Sequence, residues 1–210
     1  MLAGNYFIDQ QIKSLPDNRY GLTLIIRVSD FIREQIALFI GELKAIDPAQ
    51  YYYPDTDLHT TVLSIISCYD GFSMENISVP DYISVIEKSV AIIPPFDIDF
   101  RGVTASTSAI LIQGFPDGAA LNDLRNNLRK NFKSSGLQER IDQRYSIFAA
   151  HITIARFSQE IKDAHQLVRF LEKNRHHDFG KMKVENPELV YNDWYHRQAT
   201  VKQLGSFHLK

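Results

Sequence analysis

Two short segments carry the same polar pair at the same spacing: His59-Thr60-Thr61-Val62 and His151-Ile152-Thr153-Ile154. On a β-strand, residues i and i+2 point to one face, so each segment sets an imidazole beside a hydroxyl. An unperturbed histidine titrates near 6.5, so two imidazoles facing one small site can move protons in both directions at neutral pH. The neutral ring takes a proton from an attacking hydroxyl or water, and the protonated ring supplies one to a leaving oxygen. In-line phosphoryl transfer needs such a pair on opposite sides of phosphorus, each ring within hydrogen-bond reach of its own oxygen. The hydroxyls of Thr61 and Thr153 can donate to the non-bridging oxygens as a neutral counterpart of an oxyanion hole. This scheme uses no metal and no cofactor.

Taken singly, either segment is equally explained by a half-buried histidine bonded to backbone and a threonine favoured in strands. The elements around them argue for chemistry. Residues 20–28 read as a strand, and Asp30 offers an N-cap to a helix with Phe31, Ile32, Ile36, Phe39, Ile40 and Leu43 at helical spacing. A proline-marked loop (47–57), the first His-Thr strand, a second helix opening near Pro80 and an alternating strand (96–103) follow. Then the order restarts. A strand (108–115) leads to a helix with Leu121, Leu124, Leu128 and Phe132 on one stripe, and a polar loop (133–146) leads to the second His-Thr strand. A short helix (161–174) and two strands (178–191 and 197–209) complete the chain. Both His-Thr pairs therefore occupy the same place in a repeated order of elements. The expected fold is α/β (α+β): one domain over 1–210 with two pseudo-twofold lobes, approximately 20–105 and 106–209, with interchange of terminal strands between the lobes left open. Each lobe is a mostly antiparallel sheet backed by helices, with a central cleft between them.

The 210 residues suffice for one large domain or two small lobes sharing a core. A net charge of −2 argues against bulk electrostatic binding of long nucleic acid and leaves room for a locally basic pocket. The single cysteine, Cys68, excludes an intramolecular disulfide and any multi-cysteine zinc site, as expected in a reducing compartment. The N-terminus lacks the pattern of a signal peptide, and the apolar runs are too short to span a bilayer. A cytoplasmic protein with no membrane association and no stable protein partner, a monomer, is the expectation.

The paired motifs resemble the tandem H-Φ-[S/T]-Φ signature of the 2H phosphoesterase superfamily, Φ being apolar; HITIAR (151–156) is similar to the second motif of its bacterial RNA 2',3'-cyclic phosphodiesterases, also called 2'-5' RNA ligases. Thr60 departs from the pattern by occupying an apolar slot. The resemblance implies a bilobal fold with both motifs in the central cleft and metal-independent cleavage of cyclic or 2'-5' phosphodiesters. It assigns His59 and His151 to proton transfer and Thr61 and Thr153 to phosphate binding. The implied partner is an RNA end or a small nucleotide. Hydrolysis of a 2',3'-cyclic phosphate is the leading activity; cleavage or joining of 2'-5' linkages, and a nucleotide-binding module without turnover, are the alternatives.

Among the remaining candidates, Arg156 follows the second motif closely, but strict alternation turns it away from His151 unless the strand bends after Ala155. Arg144 and Tyr145, with Arg140, lie in the loop feeding the second motif, where charge and stacking can grip a substrate. Of Tyr51, Tyr52 and Tyr53, at most one is expected to touch ligand, and Tyr53 is the candidate. His176-His177 has no acidic or cysteine cluster to complete a metal set. Trp194, Tyr195 and His196 fall in a turn between the last two strands, where any of them can rim the cleft, and carry no assigned role.

Overall fold

The computed structural model describes residues 5–13, 17–138 and 150–210. Its elements run β1 (Arg19–Arg27), α1 (Asp30–Ile46), β2 (Tyr51–Tyr52), β3 (His59–Asp70), α2 (Val79–Val90), β4 (Phe96–Ala105), β5 (Ala109–Pro116), α3 (Ala120–Ser135), β6 (Ala150–Arg156), α4 (Ala164–Lys173), β7 (Asp178–Val184), β8 (Glu188–Asp193) and β9 (Lys202–Ser206). Every strand pairing among the described residues is antiparallel. The strand order is β7-β4-β5-β6-β3-β1-β8-β9, with β2 on β6. This is the α+β architecture the element order suggests, a large antiparallel sheet backed by helices.

Two of the helices pack away from the strands they follow. α1 leaves β1 but packs on β7, where Phe31 and Ile32 close over Gly180 and Phe39 meets Phe179 at 5.3 Å. α3 leaves β5 but packs on β3 and α2. Their apolar stripes explain this docking. Ile32, Ile36, Phe39, Ile40 and Leu43 of α1 are buried, as are Leu121, Leu124, Leu128 and Phe132 of α3. Burying each such side chain contributes about 1.5–3 kcal/mol relative to leaving it in water. α3 then stops at Gly136, whose φ of 73° is the left-handed C-cap that glycine adopts without strain. No helix among the described residues is long and apolar enough to cross a membrane.

Two expectations need correction. Residues 178–191 do not form one strand. The Asn186-Pro187 step breaks the run, and β7 pairs with β4 whereas β8 pairs with β1, on the other side of the sheet. Proline cannot supply the ladder donor, so the chain turns there. The final strand is also shorter than 197–209, because residues 197–200 make a turn in which Thr200 and Val201 donate backbone hydrogen bonds to the Arg197 carbonyl.

Candidate active site

The two His-Thr segments meet at the middle of the sheet. β3 and β6 pair antiparallel through a single register match, Thr60 with Ile152. Extending that register by one residue each way sets His59 toward Thr153 and Thr61 toward His151. Thr60 and Ile152 are fully buried on the helix side, whereas the residues flanking them are half-buried on the other. The Thr60 hydroxyl has no hydrogen-bond partner, so this threonine fills its slot as an apolar residue would. All four of His59, Thr61, His151 and Thr153 line one cleft of about 820 Å³.

A β-bulge falls on the fourth residue of each motif. Leu24 pairs with Leu63 and Ile25 with Thr61, so Val62 is the extra residue of β3. Ile110 pairs with Ala155 and Leu111 with Thr153, so Ile154 is the extra residue of β6. A bulge resets alternation. Ser64 and Arg156, at corresponding positions after their histidines, therefore return to the cleft face, which strict alternation would deny them. This corrects the expectation for Arg156, and the break lies just before Ala155 rather than after it. Each bulge residue's carbonyl accepts from a donor outside the strand pair that carries the bulge, for β3 from a helix and for β6 from the residue that follows β2. The Val62 carbonyl accepts from Arg125 Nε of α3 at 2.9 Å, and the Ile154 carbonyl accepts from the Tyr53 amide at 3.0 Å.

Arg156 Nε also donates to the Tyr53 hydroxyl at 2.9 Å, and both side chains line the cleft. Of the three consecutive tyrosines only Tyr53 does so; Tyr52 donates its hydroxyl to the Leu43 and Asp47 carbonyls. Arg144 and Tyr145, with Arg140, lie outside the described residues. Among the described residues, no group of three or more His, Cys, Asp or Glu is placed to hold a metal ion.

His59 has a defined orientation. Its Nδ1 lies 2.8 Å from the Asp57 carbonyl, which can only accept, so Nδ1 carries the proton and Nε2 is the acceptor of the neutral ring. Burial pushes its pKa down to about 4, with Arg27, His151 and Arg156 adding repulsion against the cation, while the Asp57 carbonyl opposes the shift. His151 is also lowered, by burial first and then by Arg125 and Arg156.

Several cleft residues carry no motif in the sequence, and the turn expected to rim the cleft does so through Trp194, Tyr195 and His196. The Phe7–Gln11 segment is brought in by backbone bonds from Phe7 to the Thr107 carbonyl and from Asp9 to the Phe157 carbonyl. Tyr195 donates to Asp9 at 2.8 Å and accepts from Arg19 at 3.2 Å. His196 stacks on His59 with centroids 3.8 Å apart and planes at 29°. It is 3% exposed, neither ring nitrogen has a hydrogen-bond partner, and its φ is 59°. A buried unsatisfied polar group costs about 1–3 kcal/mol, and a left-handed non-glycine residue adds about 1–3 kcal/mol. Burial holds its pKa well below the ordinary value, with His59 the next cause.

These three depressed histidines fix the sign of an acid effect. Their folded pKa values lie below the unfolded ones, so the unfolded chain binds more protons as pH falls through about 6.5. Folding stability is therefore expected to be full above pH 7 and to fall steadily from about 6.5 toward 4. Urea melts at several pH values check this. A flat profile across that window would mean that the imidazoles are not buried in the neutral form.

The profile of the 2'-5' RNA ligase superfamily matches residues 32–193, which include both His-Thr segments. The chain belongs to the 2'-5' RNA ligase superfamily. Solved structures share its fold at low sequence identity. TT0787 of Thermus thermophilus has a TM-score of 0.66 at 18% identity, over 90% of this chain and 97% of that one. Escherichia coli LigT complexed with 3'-AMP has a TM-score of 0.62 at 17% identity, over 91% and 99%. ATU0111 of Agrobacterium tumefaciens has a TM-score of 0.60 at 13% identity, over 93% and 88%. None of the curated proteins matches the chain. The superfamily match ends at residue 193, just short of the turn that carries His196.

Proposed function

We propose that this protein is a metal-independent phosphodiesterase that opens 2',3'-cyclic phosphates, at RNA ends or on nucleotides, by two-histidine acid–base catalysis. The observation that carries this reading is the register at Thr60–Ile152, which gathers two imidazoles and two hydroxyls on one cleft face. In the reaction, His59 Nε2 takes a proton from water as its oxygen attacks phosphorus. His151, protonated, gives its proton to the leaving 3' oxygen as the P–O bond breaks, so the phosphate stays on the 2' oxygen. An anionic phosphate between the rings raises the depressed pKa values and makes a protonated His151 accessible near neutrality. Thr61 and Thr153 donate to the non-bridging oxygens, and Arg156, oriented by Tyr53, adds positive charge on one side.

The solved structures of E. coli LigT with 3'-AMP, ATP and NADP+ support a nucleotide as the kind of molecule bound. Cleavage or joining of 2'-5' linkages is a second reading, favoured by the superfamily to which the chain belongs and using the same groups. A panel of adenosine 2',3'-cyclic phosphate, a 2'-5' adenylate dimer and its 3'-5' isomer, assayed in EDTA, separates these. Turnover of the cyclic phosphate, undiminished by chelation, is expected. Selective turnover of the 2'-5' dimer would shift the assignment to the second reading, and inertness toward all three would leave a binding module.

A further inference from the structure

His196 is unusual in needing three unfavourable features at once: a left-handed backbone, nearly complete burial and an imidazole with no hydrogen bond. Nothing in the turn itself requires a ring there. Glycine takes this conformation freely, and the turn is already held by neighbours. Arg197 donates its amide and guanidinium to the buried Asp193 carboxylate at 3.0 and 3.1 Å, and Gln198 donates its amide to the Asp57 carboxylate at 3.0 Å. The contact that does need the ring is the stack on His59, at 3.8 Å.

We propose that His196 is a positioning residue: its ring, stacked on His59, fixes the plane of that imidazole so that Nε2 points into the cleft. The inference rests on the phosphodiesterase reading. Two constraints at right angles then define His59. The Asp57 carbonyl holds Nδ1 in the ring plane, and the His196 face limits rotation out of that plane. Asp57 serves both, since its carboxylate anchors the turn and its carbonyl anchors the ring. The same contact shields one face of His59 from water. It thus contributes to the desolvation that keeps the free ring neutral and ready to accept a proton. When His59 becomes cationic in the reaction, the neutral ring of His196 offers it an aromatic face.

The charged and titratable groups around His59 lie on other elements and are left unchanged when His196 is replaced. They are Arg27 from β1, bonded to Glu188 of β8 at 3.1 Å, and His151 and Arg156 from β6. His196→Gly therefore isolates the stack. The glycine variant is expected to melt at the same temperature or higher, because it relieves the left-handed strain and removes the unpartnered ring. Its kcat should nevertheless fall by about 10-fold or more, with KM little changed, since a small misplacement of a reacting group can cost about 10²-fold. His196→Phe, which restores a stacked face, should recover most of that loss. In NMR titrations of the free proteins, the His59 midpoint should rise from well below 6.5 in wild type toward 6.5 in His196→Gly, and return on going to Phe. Wild-type kcat together with an unshifted His59 titration in His196→Gly would overturn the proposal. If the wild-type protein turns over no phosphodiester, the functional reading fails instead, and the titration still decides whether His196 governs the His59 ring.

Discussion

His151→Ala is expected to lower kcat on a 2',3'-cyclic phosphate by about 10²–10⁴-fold, and His59→Ala by a similar factor, because each removes one proton transfer from the transition state. Both rings sit on the cleft face rather than among the helix-side core, so the melting temperature should change little. The two losses should differ in kind. His151 is assigned to the leaving oxygen, so an aryl phosphodiester whose phenolate needs no proton should recover much of the His151→Ala defect. His59 is assigned to the attacking water, a role that the leaving group does not replace. The His59→Ala defect should persist on the aryl substrate. The opposite pattern would exchange the roles, and equal rescue of both would contradict an acid–base division. The Asp57 carbonyl fixes which nitrogen of His59 is free to exchange a proton in the cleft, and the aryl substrate decides the direction.

The second large effect lies outside the cleft. Arg125 projects from α3, is 2% exposed, and donates Nε to the Val62 carbonyl and Nη2 to the Thr61 carbonyl at 2.9 and 3.2 Å. These carbonyls sit at the bulge that lets β3 turn Ser64 back to the cleft after presenting His59 and Thr61. Arg125→Met keeps the aliphatic stem and removes the donors. Each buried acceptor left without a donor costs about 1–3 kcal/mol, so a destabilisation of about 2–5 kcal/mol is expected. For a domain of this size that is a fall of roughly 5–15 °C in melting temperature. Because the bulge carries Thr61, kcat should drop as well, even at temperatures where the variant is fully folded. A variant that melts like wild type would show that the bulge holds itself.

Much of this was legible in the sequence, for physical reasons that differ by feature. The stripes Ile32-Ile36-Phe39-Leu43 and Leu121-Leu124-Leu128-Phe132 announce their helices because burial on one face imposes the helical period. The His-Thr pairs announce themselves because strand geometry makes i and i+2 neighbours. What escaped is set by backbone register and long-range packing. The inward turn of Arg156 depends on an extra residue at Ile154, and a bulge there leaves no mark in residue type. His196 carries no motif at all; only the folded turn sets its ring on His59. Asp9 and Phe7 reach the cleft because their backbone bonds to the Phe157 and Thr107 carbonyls. The split between β7 and β8 did leave a signal, the Asn186-Pro187 step, which outweighs the apolar and aromatic residues on either side.

The most direct test of the central claim is the rate of adenosine 2',3'-cyclic phosphate hydrolysis in EDTA, compared between the wild-type protein and the His59→Ala/His151→Ala double variant. Wild type should yield the 2'-phosphate by ³¹P NMR with a bell-shaped pH profile. The double variant should melt normally above pH 7 and show no turnover above background. Full activity in the double variant, or loss of wild-type activity on chelation, would contradict two-histidine catalysis in this cleft.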